Sequence, residues 1–182
     1  MRLGAALVVA AVLWVAGGAL AQGLPTLAVA PFWDLSADGV QVDAERMNRD
    51  LSRLLVQTAR FHVVSPERVG AAMRSLGFLP PQLFHPARAR ELSQAVGADW
   101  LVVGRWTHLD RLDGGDGDPD LPRPRGGGVV AVLDVWVWAR GGTRPKYEAT
   151  FNSFRPAVGG PLGLREAAEE VLRKVAAALS RL

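Results

Sequence analysis

The segment from Val129 to Ala139 constrains this chain more than any other, because nearly every residue in it is apolar. With the two-residue period of a strand, Val129, Ala131, Leu133, Val135 and Val137 line one face. Val130, Val132, Asp134, Trp136 and Trp138 line the other. The first face is aliphatic throughout and suits a cover of helices. The second carries two tryptophans beside a carboxylate, and two readings stay open for it. The rings pack under a second core layer or a long loop, or they form an exposed aromatic patch of the kind that marks partner surfaces. Pairing of a strand edge between subunits is a related use.

The neighbouring segments fix the fold class. Leu24–Phe32 reads as a buried strand and Trp33–Val42 as a loop with Asp38-Gly39 at its turn. Asp43 caps a helix to about Arg60, whose apolar stripe is Met47, Leu51, Leu54 and Leu55. Arg46, Arg49 and Arg53 fall mostly on its opposite, solvated face. Phe61–Val64 is a second short strand. Ser65-Pro66-Glu67 starts a helix that ends near Gly77. Pro80, Pro81 and Pro86 punctuate a linker before a helix over 87–96, closed by Gly97. Asp99–Thr107 is a third strand, on which Trp100, Val102, Gly104 and Trp106 share a face. Asp110–Gly128, rich in Gly, Pro and Asp, predicts a flexible loop. The strand of Val129–Ala139 and a partner over Lys146–Phe154 form an antiparallel pair across Gly141-Gly142, and a helix over Leu162–Leu179 closes the chain. This order predicts a single α/β domain of two or three layers, with a mixed β-sheet packed by amphipathic helices.

The first 21 residues read differently. Met1-Arg2 is a positive start, Leu3–Ala16 is almost purely apolar, and Ala19-Leu20-Ala21 gives the small-residue end of a secretory signal. Residues 1–21 are therefore expected to be a cleaved signal and 22–182 the domain. The protein is expected to be exported, periplasmic or otherwise in the cell envelope. An uncut anchor at Leu3–Ala21 is the alternative, and the only route to a membrane, since a span needs about 17–25 apolar residues. With no cysteine in the chain, a lipobox anchor, disulfides and thiolate chemistry are all absent from this reading. A net charge of +3 without any basic stripe argues against nucleic acid.

Three stretches together resemble a known superfamily. They are Leu27-Ala28-Val29-Ala30-Pro31-Phe32 with Trp33-Asp34-Leu35-Ser36, then Phe61-His62-Val63-Val64-Ser65-Pro66-Glu67-Arg68, then Ala95-Val96-Gly97-Ala98-Asp99-Trp100-Leu101-Val102-Val103-Gly104-Arg105. They resemble segments of the CsgG-like and TolB-N-terminal-like bacterial envelope proteins, the superfamily of the curli secretion channel subunit. The resemblance implies a non-enzymatic role in cell-surface assembly or secretion through protein–protein contact, with envelope proteins or further copies of the chain as partners. It does not extend to a pore. A membrane-spanning strand takes about 9–11 alternating residues, and none remain after the core sheet is assigned, so the chain is expected to lack its own transmembrane barrel.

Candidate sites are few. The partner-contact candidates are Trp33 and Asp34 in the first loop and Trp136 and Trp138 on the hairpin. The same tryptophans would serve a small-ligand, glycan or peptidoglycan-binding module as stacking platforms. His108 with Asp110 is the one base-and-orienter pair that a hydrolase could use. Without a G-x-S-x-G elbow, an H-E-x-x-H helix or a P-loop, no catalytic residue is assigned. Asp116, Asp118 and Asp120 could converge on a hard cation. The spacing fails the EF-hand, however, with Leu121 where the glycine belongs and Gly127 where the glutamate belongs. A solvated acidic loop is the simpler reading, and no metal or cofactor is assigned.

Overall fold

The computed structural model describes residues 23–35, 43–112, 128–156 and 161–182. Proline and glycine set many of the element boundaries. Strand β1 (Thr26–Val29) stops short of Pro31, which has no N–H to give a ladder. The chain then resumes as β2 (Trp33–Asp34), pairing with the same neighbour further along. Helix α1 (Ala44–Gln57) begins at Asp43, whose carboxylate accepts from Arg46 N at 2.9 Å. After β3 (His62–Val63), α2 (Pro66–Leu76) opens on Ser65 and Pro66 and closes on Gly77 in the left-handed region. A 3-10 turn (Pro80–Phe84) leads into α3 (Pro86–Val96), which ends on left-handed Gly97. The long strands β4 (Trp100–Leu112), β5 (Gly128–Ala139) and β6 (Tyr147–Pro156) precede the closing helix α4 (Pro161–Leu179).

The sheet runs β3-β1-β4-β5-β6, with β2 beside β4. β1, β2 and β3 pair in parallel, while β4–β5 and β5–β6 are antiparallel. This is a single α/β domain with a mixed six-stranded sheet and four helices among the described residues, and the sheet is not closed into a barrel. Asp99 ties the parallel and antiparallel halves together. Its Oδ2 accepts from Thr26 N at 2.9 Å, and its Oδ1 lies 3.6 Å from Arg140 Nη2.

Both faces of the sheet are covered, which decides between two layers and three. On one face Val102, Trp106, Leu133, Val135 and Val137 meet Met47, Leu51 and Leu55 of α1 and Leu164, Val171, Leu172 and Val175 of α4. On the other, Ala28, Ala30, Leu101, Val103 and Trp138 meet Val69 and Met73 of α2, Leu83 of the turn, and Leu92 and Val96 of α3. The arrangement is helix, sheet, helix.

Three boundaries differ from expectation. The loop expected over 110–128 loses both of its ends to strand, because β4 runs on to Leu112 and pairs it with Gly128, while residues 113–127 lie outside the described residues. There the ladder to β5 overrides the polar composition of Asp110-Arg111. The linker with Pro80 and Pro81 is a 3-10 turn, in which Gln82 Oε1 accepts from Leu79 N at 2.9 Å. The loop from Trp33 begins as strand, since backbone pairing to β4 is available at Arg105 and Trp106.

Candidate functional site

β5 sets the site through its alternation. Asp134, Trp136 and Trp138 point to the face covered by α2, α3 and the 3-10 turn, and their cover ends between them. Trp138 is 5% exposed and belongs to the second core layer, so it offers no surface for contact. Trp136 is half-buried at the margin of that layer. Phe84 stands edge-on to its ring at 4.9 Å, and the Arg105 guanidinium lies over it at 5.2 Å. Beyond the cover, Asp134 accepts from Arg105 Nε at 3.0 Å and from Thr150 Oγ1 at 2.6 Å. That carboxylate fixes the cation over the indole across three neighbouring strands.

Trp33 enters from the other side. The break at Pro31 delivers it to β4 opposite Arg105, and its ring lies 6.0 Å from Phe84, tilted by 51°. Trp33, Phe84 and Trp136 thus form a continuous aromatic step where the helical layer stops. Asp34 beside it is exposed, with its backbone opposite Trp106. The structure therefore brings together Trp33, Asp34 and Trp136 of the expected contact residues and separates Trp138 from them. Phe84 and Arg105 belong to the same step and were not anticipated. Arg105 carried a signal, since Asp134 is its cross-strand partner once β4 and β5 are registered. Phe84 carried none, because its place depends on the 3-10 turn.

The hydrolase candidates fare differently. His108 is half-buried beside the irregularity of β4 at Trp106–His108, and its Nδ1 is buried with no hydrogen-bond partner among the described residues. The side chain of Asp110, the orienter expected for it, lies outside the described residues. His85 caps α3, its Nδ1 accepting from Ala87 N at 3.4 Å, and His62 is exposed on β3. Asp116, Asp118 and Asp120 lie outside the described residues, as do residues 1–22. Among the described residues no cluster of three metal-ligating side chains occurs, and no helix is long and apolar enough to cross a membrane.

No family model matches this sequence, and comparison with curated proteins gives no match. Solved structures do match. The chain is similar to the PelC dodecamer of Paraburkholderia phytofirmans, with 14% identity over 86% of this chain and 87% of that one and a TM-score of 0.56. It is also similar to lipoprotein GNA1162 of Neisseria meningitidis, with 14% identity over 84% and 99% and a TM-score of 0.54. With E. coli LpoB it shares 14% identity over 72% of this chain and 57% of that one, with a TM-score of 0.51. At such identity the likeness shows the fold alone. It also corrects the family expectation. These neighbours are of the PelC and LpoB kind, not CsgG or the TolB N-terminal domain, so the CsgG-like and TolB-like assignment and its curli role are not supported. The reason is physical. The residues that carried the resemblance are the interiors and turns of β1, β3 and β4, which any chain with this parallel trio requires.

Proposed function

We propose that this chain is an exported, non-enzymatic envelope protein that works by protein–protein contact through the step of Trp33, Phe84 and Trp136. The observation that carries the reading is a run of half-buried aromatic rings at the edge of a helical layer, flanked by Arg105 and the exposed Asp34. Tryptophan and arginine at the margin of a packed layer suit a contact patch, because they bury much area with few rotamers to fix. Export rests on the signal-like residues 1–21, and envelope partners are supported by the lipoprotein among the similar folds. Self-association is supported by the dodecamer formed by one of them. Stacking of a glycan is less well supported, since the Trp136 ring already carries Arg105 over it and Phe84 against it.

The test is a photo-crosslinking residue placed at Trp33, with the exposed Val56 of α1 as control. Adducts of defined mass at position 33 that are missing at 56, and that fall away in Trp136→Ala, are the expected result. Mass spectrometry of the adduct separates a second copy of the chain from another envelope protein. Equal labelling at both positions would remove the proposal.

A further inference from the structure

Helices α1 and α4 lie side by side over the first core layer, and a groove of about 270 Å³ runs between them. Four arginines line it, Arg46 and Arg53 from α1 and Arg165 and Arg173 from α4. Leu54 and Leu172 give it an apolar base. Asp50 and Glu169 are its only acidic residues among those described. Four guanidiniums against two carboxylates leave a surplus of two positive charges in the groove. An apolar wall strengthens the field of such charges on whatever enters.

The pairing runs along each helix and not between them. Asp50 accepts from Arg53 Nη1 at 3.1 Å and lies 3.7 Å from Arg46 Nε. Glu169 accepts from Arg165 Nε at 2.8 Å through its carboxylate, and from Arg173 Nε at 3.3 Å through its backbone carbonyl. Among the described residues no ion pair spans the groove, and Arg173 has no carboxylate partner. Charges placed to staple the two helices would instead meet across the gap with opposite signs. Arg46, Arg165 and Arg173 are each tethered through Nε, so the Nη edges of all three remain for another acceptor. A guanidinium fork of this kind matches the oxygens of an oxyanion.

Size, charge and donor layout choose the ligand. The groove is smaller than the sites of about 300–1,000 Å³ that take drug-sized molecules. A carboxylate offers two oxygens in one plane and a single charge. A phosphate monoester offers three strong acceptor oxygens and a charge of about −1.5 to −2 at neutral pH. That matches both the surplus and a set of donors supplied from two helices. We infer that this groove binds a phosphate group, with Arg165 and Arg173 of α4 on one side of it and Arg46 of α1 on the other. The source is free phosphate or the monoester headgroup of a lipid. The groove and the aromatic step lie on opposite faces of the sheet, so the two proposals stand or fall separately.

The test is an NMR titration of the ¹⁵N-labelled exported protein with sodium phosphate, against sodium acetate at equal ionic strength. The expected result is saturable shifts of the Arg46, Arg165 and Arg173 Nε–H signals in phosphate and not in acetate. Arg165→Gln and Arg173→Gln should each weaken binding about tenfold, the loss of a charge-assisted hydrogen bond. Arg49→Gln removes the same charge from α1 outside the groove, where Arg49 pairs with Asp43 and Glu45, and should leave binding unchanged. Asp50→Asn removes a competing carboxylate and should tighten binding. Vesicles of phosphatidylcholine containing phosphatidic acid then identify the source. Pelleting of the unaltered protein but not of Arg173→Gln makes it a lipid headgroup, and phosphate binding without pelleting makes it free phosphate. The absence of saturable shifts, equal shifts in acetate, or an equal loss in Arg49→Gln would overturn the inference. So would an Asp50→Asn protein that loses Tm and gains no affinity, since the arginines would then serve only their own carboxylates.

Discussion

Gly104 is the residue on which one core layer turns. It sits in β4 beneath Phe32, and a Cβ there would lie 2.8 Å and 2.9 Å from the Phe32 ring and 3.2 Å from Leu133 Cδ1. The ring has nowhere to go. Phe32 is 2% exposed and stands edge-on to the fully buried Trp106 at 6.3 Å. Gly104→Ala is therefore expected to destabilise the protein by about 1–3 kcal/mol, as overpacking of a dense core does. Urea unfolding measures it. The cause is checked by the double variant, because Phe32→Leu removes the clashing edge, so its cost should be less than additive with Gly104→Ala. Strict additivity would mean that the glycine matters for some other reason. The same close approach explains the break after β1. Pro31 ends that ladder, and Phe32 then drops onto the only residue of β4 small enough to receive it.

At the scale of elements, α4 is pinned to the edge strand β6 through one carboxylate. Glu170 lies 3.0 Å from Lys174 Nζ and 2.9 Å from Arg155 Nη2, while Lys174 also donates to Asn152 O at 2.8 Å. The hydrogen bond from Lys174 first, then the Ser153 hydroxyl beside it, and last the charges of Lys174 and Arg155, hold the Glu170 carboxyl below its ordinary value, against the opposing effect of burial. A lowered carboxylate contributes stability above its unfolded-state value and loses it as pH falls through the lower folded value. Stability should thus fall as pH drops below the ordinary glutamate range of about 4.3, and Glu170→Gln should flatten that part of the curve. The difference at neutral pH should stay within about 1 kcal/mol, because the pair is partly exposed. Parallel pH–Tm curves for the two proteins would show that Glu170 contributes nothing. Elements of this kind were unevenly legible in the sequence. Asp43, Ser65-Pro66, Gly77 and Gly97 announced their helix ends correctly, because capping chemistry is local. β2, the 3-10 turn and the last residues of β4 were missed, since each exists only because a distant strand or layer is there to pair with it. The candidate site divides the same way. Trp136 and Trp138 share a face as their spacing required, but only the end of the helical cover decides that one is half-buried and the other enclosed.

At the scale of the whole molecule, two core layers share one wall. Leu172 of α4 lies in the first layer and Leu92 of α3 in the second, both at most 1% exposed. They are separated by β4 and β5, whose adjacent residues alternate between the layers, with Val137 facing one and Trp138 the other. Neither layer can lose its packing without loosening strands that the other layer needs, so the domain should open as one unit. Leu92→Ala and Leu172→Ala should each cost about 2–5 kcal/mol, the range for buried leucines that leave a cavity. Hydrogen exchange then separates a cooperative domain from two halves. If the wall couples the layers, Leu92→Ala lowers the protection of the most slowly exchanging α4 amides as much as those of α3, by about 30-fold or more. Leu172→Ala does the same in reverse. If Leu92→Ala instead frees α2 and α3 while α4 keeps its protection, the second layer is a separable unit. The aromatic step at its margin would then come apart, because Phe84 would leave Trp33 and Trp136 behind on the sheet whenever that layer opened.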